Sequence, residues 1–217
     1  ITGAGRGIGA AAAKTYAAHG ATVLLLGKTE GNLNQLYDEI EAAGHPQPVV
    51  IPFNLETALP HQYDELAATI EAEFGRLDGL LHNAAIVGPR TPLEQLSGDN
   101  FMRVMQINVN AMFMLTSTLL PLLKLSDDAS VVFTSSSVGR KGRAQGHAQQ
   151  IAGAQAAWQH ALAVTALHIQ HPLHQIGQAR DRAFQLLRHA VARPQLQPAA
   201  GQQKAHEHGE GIEIDLV

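Results

Sequence analysis

The chain has no cysteine, which excludes a disulfide framework, a thiol nucleophile and thiolate metal ligands. Tyrosine stops early: Tyr16, Tyr37 and Tyr63 are the whole set, so no phenol is available to chemistry in the later two thirds of the sequence. Lysine is scarce after residue 124, with only Lys141 and Lys204. Aromatic residues make up 5% of the chain and charged residues 16%, and the net charge is −4, so neither nucleic acid nor an anionic membrane is an expected partner. No stretch reads as long and apolar enough to span a bilayer, and no signal peptide is visible, so the expected location is cytoplasmic. What is present is 45% hydrophobic residues over 217 positions, enough for a sizeable core in one or two domains.

The stretch Thr2-Gly3-Ala4-Gly5-Arg6-Gly7-Ile8-Gly9 reads as a turn between a strand and a helix. A helix N-terminus there presents unpaired backbone N–H groups and the positive end of the helix dipole, and glycines let a pyrophosphate approach the backbone. Ile8, Ala11, Ala12 and Tyr16 fall at helical spacing, and His19-Gly20 closes the helix. Residues 21–27 then read as a buried parallel strand. Glycine turn, helix and strand form the first half of a dinucleotide-binding unit. Only Ile1-Thr2 of the strand before the turn is present, and an N-terminal truncation is expected.

The same alternation continues. Helices are predicted over about 29–43, with Leu33, Leu36 and Ile40 inward, over about 62–74, with Leu66, Ile70 and Phe74 inward, and over about 99–124. Strands are predicted over 48–54, 77–83 and 129–134. This order implies a doubly wound, Rossmann-like parallel sheet with helices on both faces, and ligands beyond the carboxyl ends of its strands. At the end of strand 21–27, Gly27 carries no charge and Lys28 is basic. With Arg6 they attract a 2′-phosphate, where an acidic residue would favour the plain ribose of NAD. Both cations also fit solvated surface positions.

The glycine spacing, with Thr2 before it and Ile8 between the last two glycines, resembles the short-chain dehydrogenase/reductase family. So do His82-Asn83-Ala84-Ala85, Ile107-Asn108-Val109-Asn110 and Thr134-Ser135-Ser136-Ser137-Val138-Gly139. The resemblance covers residues 1–143. It implies hydride transfer between NADP(H) and a small carbonyl or alcohol substrate. By that likeness Gly3, Arg6, Gly7, Ile8 and Gly9 hold the pyrophosphate side. Arg6 and Lys28 meet the 2′-phosphate. Asn54 and Leu55 lie beside the adenine, with Asn54 where the family usually has Asp, and Asn83 and Ala84 hold the adenosine end. Ser136 bonds the substrate carbonyl, and Asn108 holds a water through its backbone. Each has a plainer reading: Asn108 as a helix Asn bonded locally, Ser136 as a polar strand exit, His82 as a strand-end filler. The family's oligomers use the helices after the strands at 77–83 and 129–134, so a homo-oligomer is possible.

The resemblance breaks after residue 143. The family needs a Tyr and, four residues on, a Lys, about a dozen residues beyond the Ser. Here those places hold Gln149 and Gly153, which neither titrate nor carry charge. Whether the chain is an enzyme is therefore open, and negligible turnover is expected. Residues 144–217 contain 8 of the 12 His and 13 of the 18 Gln. They read as a separate, mainly helical Ala/Gln/His-rich segment with loose linker over 194–204. Three explanations stand: a shifted reading frame, a non-catalytic binder or interaction protein, or an enzyme with another acid. His168, His171 and His174 recur every three residues, but His171-Pro172 breaks the helix and nothing completes a tetrahedral set, so no metal is expected.

Overall fold

The computed structural model describes residues 1–89, 91–134 and 214–215. Its order is α1 (Gly7–Ala18), β1 (Leu24–Gly27), α2 (Glu30–Ala42), β2 (Val49–Pro52), α3 (Pro60–Phe74), β3 (Gly79–His82), a 3₁₀ turn (Leu93–Gln95), α4 (Gly98–Met105), a π turn (Gln106–Asn110), α5 (Ala111–Leu123), β4 (Ser130–Thr134) and β5 (Ile214–Asp215). The parallel α/β alternation is the one expected.

β1 pairs with β2 and β3 with β4, both parallel. Residues 1–4 join the two halves. Thr2 forms a parallel bridge to Leu26 and donates its N–H to Leu81 O at 2.9 Å. Leu26 N–H donates to Ile1 O, and Ala4 N–H to Leu26 O. The order across the sheet is thus β2, β1, residues 1–4, β3, β4. The short β5 adds antiparallel, with Thr134 opposite Ile214. A two-residue strand in the segment read as mainly helical was not expected.

Helices seal both faces because their apolar residues recur at helical spacing. α2 buries Leu33, Leu36 and Ile40 against Leu25 and Ala13. α3 buries Tyr63, Leu66 and Ile70, and α5 buries Leu115, Leu119 and Leu122 in the same cluster. Phe74, expected inward, is 43% exposed, because it is the last residue of α3 and Gly75 turns the chain left-handed at φ 72°. Pro60 at the first turn and Leu59 N–H donating to Gln62 Oε1 start that helix.

The segment 98–123 corrects a second expectation. As one helical run of 26 residues it is long and apolar enough to cross a membrane by length and composition. More than half of its most apolar window is buried in the fold, as in the core helix of a packed domain. A cavity of about 730 Å³ lies under Ile1 at the amino ends of β1 and β3, lined by Val23, Leu24, Gly79 and Leu80. It is at the opposite end of the strands from the glycine turn.

Candidate nucleotide site

The carboxyl ends of β2, β1, residues 1–4 and β3 lie side by side, and four loops leave from them. The first is the glycine turn. Gly3 has φ 63°, and a Cβ on it would stand 2.9 Å from Ala84 Cα. A Cβ on Gly9 would stand 2.3 Å from Gly3 O and 2.7 Å from Asn83 Nδ2. These two glycines are required by close packing inside the protein. Gly7 differs: its φ is 57°, and a Cβ there meets nothing within 4 Å. It begins α1 with its backbone facing open space, and no acidic residue lies in the first turn of that helix. The N-terminus of α1 therefore offers a cradle that an anionic group fits.

Thr2 fixes the turn to the end of β3. Its side-chain oxygen accepts from Asn83 N at 2.9 Å and from Ala84 N at 3.0 Å, and it is 2% exposed. Asn83 Nδ2 returns long bonds to Thr2 O and Gly3 O, at 3.3 and 3.4 Å. Asn83 and Ala84 thus form the floor of the glycine turn. Arg6 caps α1 without a side-chain bond to it, and its side chain is exposed.

At the neighbouring strand ends Lys28 is exposed, and Phe53 N–H donates to Gly27 O at 2.8 Å, holding the exits of β1 and β2 together. Asn54 Oδ1 accepts from Glu56 N at 3.1 Å, so the oxygen turns onto its own backbone. Leu55 is 8% exposed and belongs to the core cluster, and its carbonyl accepts from Gln106 Nε2.

Asn108 corrects the plainer of its two readings. It does not bond within its own helix. Its Oδ1 accepts from Ile86 N at 2.9 Å and its Nδ2 donates to Ile86 O at 2.8 Å, twenty-two residues away. It sits in the π turn, which rotates it out of helical register toward the segment after β3. His82 is 1% exposed, and its ring stacks on Phe133 with centroids 4.8 Å apart. His82 Nε2 lies 2.9 Å from Thr116 Oγ1, while Nδ1 is buried with no hydrogen-bond partner. Burial lowers its pKa from 6.5 to about 3. A ring held neutral and packed this way fits a wedge between β3, β4 and α5. Ser136, Gln149, Gly153 and the histidines 168, 171 and 174 lie outside the described residues.

Sequence reading missed three partners: Thr116, Glu56 and Arg103. Thr116 stands 34 residues from His82 and Arg103 stands 47 from Glu56, so no local pattern links them.

A parallel sheet flanked by helices, with glycine turn, cations and Asn-Ala turn gathered at its carboxyl edge, defines a dinucleotide-binding α/β domain. The short chain dehydrogenase family model matches residues 1–162, beyond the point where the motifs fade, and the chain belongs to that family. The uncharacterized oxidoreductase YciK of Escherichia coli K12 is 49% identical over 144 residues, 66% of this chain and 57% of that protein. The chain therefore spans little more than half the length of that relative. A short chain dehydrogenase structure from Pseudomonas syringae is 62% identical with a TM-score of 0.74, covering 76% of this chain and 67% of its own. One from Escherichia coli CFT073, complexed with NADPH, is 44% identical with a TM-score of 0.73, covering 76% and 69%.

Proposed function

We propose that this chain binds NADP(H) at the carboxyl edge of its sheet and, as written, turns over no carbonyl or alcohol at an appreciable rate. The observation that carries the binding half is the cradle at Gly7: an open helix N-terminus directly after the exposed Arg6, in a turn that Thr2 and Asn83 pin, with an exposed Lys28 at the end of the neighbouring strand. The relatives complexed with NADPH and NADP support the choice of nucleotide. Gly3, Gly7, Ile8 and Gly9 take the pyrophosphate side, and Arg6 and Lys28 the 2′-phosphate. Asn54 and Leu55 border the adenine, and Asn83 and Ala84 the adenosine end. When bound, the nicotinamide supplies or accepts a hydride. Ser136 and Asn108 are the part of the family's catalytic set that this chain retains.

The inactivity half rests on Gln149 and Gly153. Loss of a general acid alone costs about 10²–10⁴-fold in rate. Assayed with NADPH and a panel of small ketones and aldehydes, the chain is expected to give no rate above background. NADPH oxidation at ordinary enzyme rates contradicts this.

The composition break at residue 144 favours a second statement, that residues 144–217 come from a shifted reading frame. Reading the coding nucleotides around codon 144 in all three frames tests it. A neighbouring frame encoding Tyr and, four codons on, Lys supports it, and no such frame overturns it.

A further inference from the structure

The end of β3 is held from both faces of the sheet. Leu81 packs against Ala12 of α1, whereas Leu80 packs in the cluster that α5 builds. Side chains alternate along a strand, so His82 points to α5 and Asn83 to the glycine turn. The bonds agree: His82 Nε2 lies 2.9 Å from Thr116 Oγ1, and Asn83 Nδ2 donates to Gly3 O. Thr116 is the one polar residue among the seven buried positions of α5. The His82 ring lies nearly flat on Phe133, with 12° between the planes. Its Nδ1 has no partner among the described residues, so Thr116 supplies the hydrogen bond that fixes the ring.

We propose that Thr116, acting through His82, is a positioning residue for the glycine turn: it sets the rotation of the β3 end that carries Asn83 and Ala84 against Gly3 and Gly9. The statement rests on the nucleotide reading above. The clearance is small, since a Cβ on Gly9 would stand 2.7 Å from Asn83 Nδ2 and one on Gly3 2.9 Å from Ala84 Cα. The bonds from Asn83 Nδ2 to Thr2 O and Gly3 O are long, 3.3 and 3.4 Å, so they hold that side chain weakly. The backbone N–H groups of Asn83 and Ala84 both meet Thr2 Oγ1, a single pivot that leaves rotation about it free. Asn108 grips Ile86 and so fixes the far end of the segment. The near end is set at His82. Because His82 and Asn83 lie on opposite faces of one backbone, a tilt of the ring at α5 moves Asn83 in the opposite sense, toward or away from Gly9.

The test is calorimetric titration of the full chain with NADPH near neutral pH, together with the Asn83 side-chain amide resonance followed by NMR without nucleotide. Thr116→Val keeps the shape and removes the hydroxyl, and is expected to raise Kd about three- to tenfold, the worth of one hydrogen bond. His82→Phe keeps a ring against Phe133 and should raise Kd by a similar factor. The double variant should do no worse than either single one, because both remove the same bond. Thr116→Ser restores the hydroxyl and should stay within about twofold of the starting Kd. The Asn83 resonance should shift in Thr116→Val and His82→Phe and return in Thr116→Ser. Ile70→Val, which thins the core cluster under α3, should lower the thermal midpoint and move neither Kd nor that resonance. If Thr116→Val and His82→Phe behave like Ile70→Val, the pair is only core packing and the proposal fails. Effects on Kd that add in the double variant also overturn it. If the unsubstituted chain does not bind NADPH, the nucleotide reading fails, and the Asn83 resonance still decides whether Thr116 positions the turn.

Discussion

The hydroxyl of Thr2 satisfies two backbone N–H groups, those of Asn83 and Ala84. Thr2→Val keeps the shape and removes the acceptor. It should cost about 2 kcal/mol or more, because two donors lose their partner, and chemical denaturation measures it. Gly9→Ala should cost more and fold poorly, since its Cβ would overlap Gly3 O. Gly7→Ala has room and pays only for positive φ, about 1–2 kcal/mol. His82 makes stability depend on pH. It is neutral in the fold down to about pH 3, while the unfolded chain takes up a proton below about 6.5. Stability is therefore full above pH 6.5 and falls as pH drops toward 3, by up to about 1.4 kcal/mol per unit. His82→Phe should keep the stacking on Phe133 and flatten that slope. A slope unchanged by the substitution assigns it to other groups. The glycine turn and the Asn-Ala turn were legible in the sequence as strand-end turns because their placement is local in backbone geometry. The reasons for individual glycines were not: spacing cannot say that Gly9 packs on Gly3 while Gly7 faces open space.

At the scale of elements, helix periodicity carried far. Leu33, Leu36 and Ile40 are buried as their spacing requires, and the observed bounds of α2 fall within a residue of those expected. The segment over about 99–124 reads as one continuous helix because no glycine or proline interrupts residues 106–110. Nothing in that pattern signals the π turn, whose extra residue per turn is offset by the paired bonds between Asn108 and Ile86. Asn108→Leu removes both bonds and leaves the Ile86 N–H and C=O without that partner. It should lower stability by about 2–3 kcal/mol and raise amide exchange at Ile86. If exchange at Ile86 stays protected, another group holds that loop.

At the scale of the molecule, residues 1–4 are the seam. The β1–β2 pair and the β3–β4 pair meet through Thr2, bridged to Leu26 on one side and bonded to Leu81 on the other. The same four residues open the glycine turn, so sheet integrity and the candidate cradle are one structure. A sequence shows alternation of strand and helix, which fixes the fold class. It does not show which strand ends become neighbours, and for that reason the Glu56–Arg103 pair was invisible until the chain was folded. Under the proposed function, this carboxyl edge takes NADP(H) without needing the missing Tyr and Lys. Thermal unfolding of the full chain with and without NADPH tests it most directly. Because a ligand bound only by the folded state stabilises it, the midpoint should rise with NADPH concentration, by an amount equivalent to about 2.7 kcal/mol at a hundredfold excess over Kd. A midpoint that does not move at millimolar NADPH would contradict the claim.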